Sequence, residues 1–473
     1  MPRSTTRNER SVLIHSRINY FIIILILYLA WRLWRFTIVP KVWKDEPLLL
    51  PYWVPFIGYT YAFVRNPEAL INYGYNYFGT NEPFALTVSG RRAIVVRDIQ
   101  DVAAVWRNTQ DLSFDPFVKA VLESFGISNI SLTKIFADPR DVIDKENKGY
   151  MNLERDWFKE QLLAPEALRR IDNKYCRYLS DSLTWDRLSL TYILSSSSAT
   201  ADSKAISLKL FCRYTISSCS TKTFFGTQLE KIAPSFLEDY QDFEEESWKI
   251  FYRFPAWLAQ RPHRAKDRAI QQLAKFFSAP REEHADLEWI FETMNRDMNN
   301  NAHKVTFWTL AHLLHNPSYL DAVRKETDTA FATSETKPDM KVLLNNCPHL
   351  DAHPVRVGDQ LVAPFRQYHM NQSIFGADAP NFRPERFLDD KSLPRTKGYA
   401  PFGGGHTYCP GRLFAQREIY LFVAEILWRY TLILGPRAGG GPRMPQVDLS
   451  TPSVAAMGPD EDVVVLISQR NGK

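Results

Sequence analysis

Residues 402 to 412 read Phe402-Gly403-Gly404-Gly405-His406-Thr407-Tyr408-Cys409-Pro410-Gly411-Arg412 and run without a break into LFAQREIYLFVAEILWRY. Glycines let the backbone approach a flat cofactor and take up conformations closed to other residues, and Pro410 suits the first turn of a helix. The segment therefore predicts Cys409 at the start of a helix. There the helix dipole and free backbone amides favour a thiolate, the form of cysteine that binds iron. Phe402 would pack beside the sulfur. The competing reading is an ordinary buried thiol in a glycine loop.

Working outward, the rest of the chain is globular in composition. Of 473 residues, 45% are hydrophobic and 23% charged, and 12 Trp, 21 Tyr and 30 Phe imply a bulky apolar interior. A formal charge of +5 is mild. With no basic run or aromatic-interleaved basic stripe, nucleic acid is excluded as a partner, and anionic lipid or an acidic redox partner fits better. The cysteines Cys176, Cys212, Cys219, Cys347 and Cys409 are scattered and odd in number, without a C-x-x-C pair. This points to reduced thiols in a cytosol-facing domain.

Residues 18 to 36, INYFIIILILYLAWRLWRF, are almost wholly apolar. At 1.5 Å per residue, roughly 17 to 20 residues cross a hydrocarbon core if Arg32 and Arg35 reach the interface. No small-x-small site follows, so an uncleaved anchor is expected rather than a signal peptide. Arg3, Arg7, Arg10 and Arg17 precede the span and Arg32, Arg35, Lys41 and Lys44 lie at or after its end, so charge counting does not fix orientation. Pro40, Pro47, Pro51, Pro55 and Gly58 then mark a stiff, non-helical connector. The expected division is an N-terminal segment with its anchor over 1–38, a connector over 39–58 and one globular domain over 59–473.

In the body, FALTVSGRRAIVVR at 84–97 predicts a hairpin turning at Ser89-Gly90. Helices are expected over 151–183, 204–224, 230–252, 264–278, 284–315 and 317–332, and VVVLIS at 463–468 reads as a strand. The fold class is mainly α with small β-sheets.

The pattern F-x-x-G-x-x-x-C-P-G-R resembles the haem-binding signature of the cytochrome P450 superfamily. Pro384-Glu385-Arg386-Phe387 resembles the family's P-E-R-F element, 23 residues before the cysteine when counted from Arg386. The connector from Pro51 to Gly58 resembles its proline hinge, and His284 to Asn316 its central helix. Phe307-Trp308-Thr309-Leu310 is similar to the branch holding prostacyclin synthase and sterol 7α-hydroxylases. The resemblance implies a cytochrome P450 fold with haem (iron protoporphyrin IX) on the Cys409 thiolate. It also implies an apolar small-molecule substrate such as a sterol, lipid or secondary metabolite, O2 as oxidant, and electrons from NADPH-cytochrome P450 reductase. The membrane would be the endoplasmic reticulum, with the catalytic domain facing the cytosol. Phe402, Gly405, Thr407, Gly411, Arg386 and Trp157 fall at cofactor-binding positions. Asn301 falls at the catalytic alcohol's place on the central helix, where the bland alternative is a solvated polar patch. Trp157 reads equally as a core tryptophan. Gln161 and Thr407 stand where basic residues are common, which weakens the hold on the propionates.

One element of the pattern is missing. The family's E-x-x-R helix, which pairs with the P-E-R-F arginine, has no counterpart where MKVLLNNCPHLDA at 340–352 passes directly into HPVRVGDQ. Pro354 disfavours helix at His353, and by resemblance roughly 30 to 40 residues are absent. Glu166-Ala-Leu-Arg169 lies far upstream and reads as a surface pair. Arg386 is thus expected to lack a buried counterion, leaving it exposed or the cysteine loop poorly supported. Two alternatives to a monooxygenase follow: a degenerate or mis-spliced relative without activity, and an oxygen-independent isomerase.

Overall fold

The computed structural model describes residues 7–43, 46–108, 112–137, 150–195, 202–284, 287, 302–331, 360–396, 398–405, 408–436, 441, 443–450, 452 and 456–470. Asn301, Thr407, Cys347 and the 352/353 junction lie outside them. The expected architecture, mainly helical with small sheets, is the one observed.

The chain forms two compact units. The first comprises Met1–Asn108, Cys347–Asn381 and Glu385–Ala400. Its sheet has the order β1 (Leu48–Leu49), β2 (Phe84–Val88), β3 (Arg91–Val95), β6 (Gln360–Val362). β2 and β3 pair antiparallel from Phe84↔Val95 to Val88↔Arg91, so the hairpin turns at Ser89-Gly90 as its sequence predicts. Both turn residues have positive φ, 49° and 74°, the geometry that matches the twist of the flanking strands. β6 adds parallel to β3.

The second unit comprises Thr109–Asn346, Phe382–Pro384 and Pro401–Lys473. Its sheet runs β4 (Ile193–Leu194), β5 (Ser203–Ser207), β8 (Val464–Gln469), β7 (Tyr430–Leu434), all antiparallel. β8 is the strand expected from VVVLIS. The main core gathers Leu179, Phe211, Phe307, Leu310, Phe422 and Ile426 from four helices: Pro165–Ser182, Leu208–Phe225, Ala302–His315 and Arg412–Arg429. Each such side chain, moved from water into this interior, stabilises the fold by about 1.5–3 kcal/mol.

Several expected helices are shorter or divided. The stretch 151–183 is two helices, Tyr150–Leu162 and Pro165–Ser182, because Pro165 lacks the N–H that would continue the first and suits the first turn of the second. The start of 204–224 is strand β5, whose Ile206 and Ser207 are buried beside β8. The stretch 230–252 breaks into Phe236–Glu246 and Trp248–Phe251. Of 284–315, the helix Ala302–His315 is described.

Candidate functional site

The Cys409 loop is built by its own backbone. Gly403 and Gly405 have φ of 76° and 54°, and they allow the chain to double back. The Cys409 amide then donates to the Phe402 carbonyl at 3.0 Å, and the Tyr408 amide to the Gly405 carbonyl at 3.3 Å. Arg412 fastens the other side: its Nη1 donates to the Cys409 carbonyl at 3.1 Å and its guanidinium lies 4.1 Å from the centre of the Tyr408 ring.

The helix that follows begins at Arg412 with Gly411 as its N-cap, two residues later than Pro410 suggests. Cys409 nevertheless stays within reach of the helix start, since the Gly411 amide donates to its sulfur. A Cβ on Gly411 would stand 4.0 Å from Cys409 Sγ and 3.9 Å from Leu162 Cδ1, so the Tyr150–Leu162 helix ends against this loop.

The expectation of a lowered thiol pKa is reversed. Burial raises the Cys409 thiol above its ordinary value, and the Gly411 amide and Arg412 charge oppose that shift without overcoming it. The helix end acts with the expected sign, but desolvation is a property of the packed chain and is the larger effect. A bound cation changes the balance, because it deprotonates a ligating thiol. Among the described residues no group of three His, Cys, Asp or Glu could hold a bare metal ion. A half-buried sulfur with one amide donor fits the single protein ligand that a haem iron takes from a cysteine.

Trp157 and Phe158 lie half-buried against the main core, and Gln161 accepts from Arg170 Nη2 at 3.0 Å. Glu166 and Arg169 form an exposed pair at 3.8 Å, as their surface reading expects.

Arg386 departs from the expectation of a charge without a counterion. It is 9% exposed, and its guanidinium donates to the carbonyls of Phe375, Asp378 at 3.1 Å and Asn381 at 3.0 Å. The Asp378 carboxylate lies 3.5 Å away. The turn just before P-E-R-F thus supplies four oxygens to one guanidinium, and Arg386 is neither exposed nor unpaired. Arg386→Ala should cost about 3 kcal/mol of stability, since it strands buried carbonyls and a carboxylate. Arg386→Lys should recover less than half, because an ammonium cannot span the same oxygens. Thermal unfolding of the two variants checks both.

Two buried groups carry weight that the motif reading misses. His369 accepts from the Ala400 amide at 3.0 Å, two residues before Phe402, and burial lowers its pKa to about 4, so it is neutral. Glu418, two turns into the Arg412–Arg429 helix, is fully buried, accepts from the Ser220 hydroxyl, and has its pKa pushed up to about 8 by burial. Its signal was in the sequence: Phe414, Leu421 and Phe422 stand at i−4, i+3 and i+4, on Glu418's own face.

Comparison with known proteins places this loop within a family-matched segment. The Cytochrome P450 family model matches residues 342–457. The cytochrome P450 monooxygenase poxD of Penicillium oxalicum is 23% identical over 86% of this chain and 91% of its own length. That alignment runs over 474 positions, so the relative carries stretches without a counterpart here. The cytochrome P450 monooxygenase calL of Penicillium decumbens is 22% identical, covering 79% and 84%. A bifunctional cytochrome P450/NADPH–P450 reductase of Gibberella moniliformis is 31% identical over 152 residues, 26% of this chain and 13% of its own. The segment matched by the family model holds the loop just described and 203 curated proteins match the chain, findings that support a place for it in the cytochrome P450 superfamily.

Proposed function

We propose that the chain is a membrane-anchored haem-thiolate monooxygenase that oxidises an apolar small molecule with O2 and electrons from a separate NADPH-dependent reductase. The observation that carries this reading is Cys409, half-buried at a helix start with the Gly411 amide on its sulfur, inside a family-matched segment. Haem bound there would be held by the Cys409 thiolate and would supply a redox-active iron.

The residues of the chain have the remaining tasks. Gly411 and Arg412 hold the loop so that Sγ presents one fixed face, and the amide on the sulfur tunes its electron density. Phe402, Gly405 and Thr407 are assigned to the border of the macrocycle, and Trp157 and Arg386 to its setting. Asn301 is assigned to the handling of polar groups on the central helix. A relative named as a bifunctional cytochrome P450/NADPH–P450 reductase supports the electron source. The helix Arg17–Val42 is long and apolar enough to cross a membrane, which supports an anchor, and the endoplasmic reticulum is the proposed membrane.

The test is the reduced carbon monoxide difference spectrum of the purified full chain, with reductase-dependent product formation as second readout. A thiolate-haem band on a folded sample is the expected result. A folded sample without the band would overturn the reading in favour of a relative that has lost its cofactor. Turnover that persists without reductase would favour an isomerase.

A further inference from the structure

Two short helices, Phe365–His369 and Gln372–Phe375, form a platform to which both ends of the segment before the cysteine loop are fastened. At one end the Arg386 guanidinium donates to the Phe375 carbonyl. At the other the Ala400 amide donates to His369 Nε2 at 3.0 Å. Between them the Tyr399 ring meets Phe387 at 5.3 Å and His369 at 6.1 Å, and His369 meets Phe375 at 6.4 Å, centre to centre. Gly398 runs so close to Ile374 that a Cβ there would collide with it.

The platform is itself held still. Arg366 is paired with the Glu68 carboxylate, and Gln367 Nε2 donates to Asn72 Oδ1 at 3.0 Å and to the Glu68 carbonyl at 3.2 Å, both on the Pro67–Phe78 helix. Tyr368 is buried in one cluster with Ala400, Ala85, Ile94 and Val96. An acceptor fixes the position of its donor only when it is itself fixed, and His369 sits between these anchored neighbours.

The chemistry of the bond defines the state of the ring. A backbone N–H can only donate, so Nε2 presents its lone pair and the proton of the neutral imidazole lies on Nδ1. Burial, which lowers the His369 pKa to about 4, keeps the ring in that neutral form. A side chain without an acceptor would leave the buried Ala400 amide with its bond unmade.

Covalent geometry carries the restraint onward. Pro401 follows Ala400, so Ala400 is pushed to extended conformations and Pro401 has its own φ locked. Next comes Phe402, whose carbonyl receives the Cys409 amide at 3.0 Å. An orientation imposed on the Ala400 amide thus passes through two stiff residues to the atom that closes the cysteine loop.

We propose that His369 is a positioning residue for the Cys409 ligand: by holding the Ala400 amide against the platform, it fixes the entry of the loop and with it the direction of Sγ. The role rests on the reading of Cys409 as a haem ligand and is exerted through Ala400, Pro401 and Phe402.

The test compares the full-length parent with His369→Phe, which keeps a ring without an acceptor, and His369→Gln, which offers an amide oxygen near the place of Nε2. Hydrogen exchange of single amides, which needs no haem, is read beside the reduced carbon monoxide spectrum. In His369→Phe the Cys409 amide should exchange about tenfold faster, and the thiolate-haem band should decay about tenfold faster. Amides of the Pro165–Ser182 helix, in the same compact unit as Cys409, should keep the parent's rates. His369→Gln should bring both readouts back toward the parent. Unchanged exchange at Cys409 in His369→Phe, with the band present in the parent, would overturn the positioning role and leave the haem reading standing. A rise shared equally by Cys409 and the Pro165–Ser182 helix would also overturn it, since that marks lost stability, and so would a Gln variant that behaves like Phe. The parent alone supplies a check that needs no variant to fold: an Ala400 amide exchanging as fast as in an unstructured peptide would overturn the role. A parent without the band would overturn the haem reading, and the positioning of a ligand with it.

Discussion

Cys409→Ala is expected to remove the thiolate-haem band completely while leaving the far-ultraviolet circular dichroism of the chain unchanged. The loss is total because no other described cysteine can take over. Cys176, Cys212 and Cys219 are buried on the Pro165–Ser182 and Leu208–Phe225 helices, inside the main core. Burial pushes the Cys219 thiol up to about 12 and the Cys212 thiol well above its ordinary value, and both residues are wholly enclosed by the core, so no cofactor reaches either sulfur. The fold survives because the loop is held by bonds that do not involve the sulfur: Cys409 amide to Phe402, Tyr408 amide to Gly405, Arg412 to the Cys409 carbonyl. Truncating one half-buried sulfur costs about 1 kcal/mol, a small part of a domain's stability. Cys409→Ser, which keeps the volume, should lose the band equally. A band that persisted in either variant would show that the iron ligand is another residue.

What the sequence disclosed and what it withheld differ in kind. The Ser89-Gly90 hairpin, the strand at the C-terminal end and the helix after Cys409 were legible because each is set by local chemistry: turn residues, alternation, an unbroken helical run. The candidate ligand was legible because cysteine is rare and its neighbours restrict the backbone. Arg386's partners were not legible, since three of them are backbone carbonyls, and every residue carries one. Nothing in the letters of Phe375 or Asn381 marks them as counterparts of a guanidinium. The missing E-x-x-R segment suggested a stranded charge only because side-chain pairs alone can be read from sequence. The sign of the Cys409 shift was hidden for a similar reason, because burial belongs to the packed chain. The division at Leu163-Ala164 could have been read from Pro165, but the apolar periodicity on either side hides it.

The second large effect lies on the helix that Cys409 precedes. Glu418 has a pKa of about 8 in the folded chain against 4.5 in its ordinary state, with burial as the cause and the Ser220 hydroxyl opposing it. The folded state therefore holds this proton up to about pH 8, while the unfolded chain releases it near 4.5. Between those values the native state binds more protons than the unfolded one, so the contribution to stability is full below 4.5 and is lost as pH rises. Over the whole window the loss is on the order of 5 kcal/mol. Glu418→Gln keeps an oxygen for Ser220 and cannot ionise. The variant should match the parent chain near pH 5 and exceed it by several kcal/mol near pH 8.5. Taking the difference between the two chains cancels other titrating groups, including buried His369, which acts with the opposite sign in acid. Denaturation midpoints of both proteins, measured from pH 5 to 8.5, give the answer. Parallel curves would show that Glu418 is ionised inside the core, and its neighbourhood, with Tyr175 buried alongside, would then have to contain a cation or water that stabilises the charge. A gap that opens with rising pH would show that the helix behind the cysteine loop is packed around a neutral carboxylic acid, and that alkaline conditions loosen the loop's support before they touch the sulfur itself.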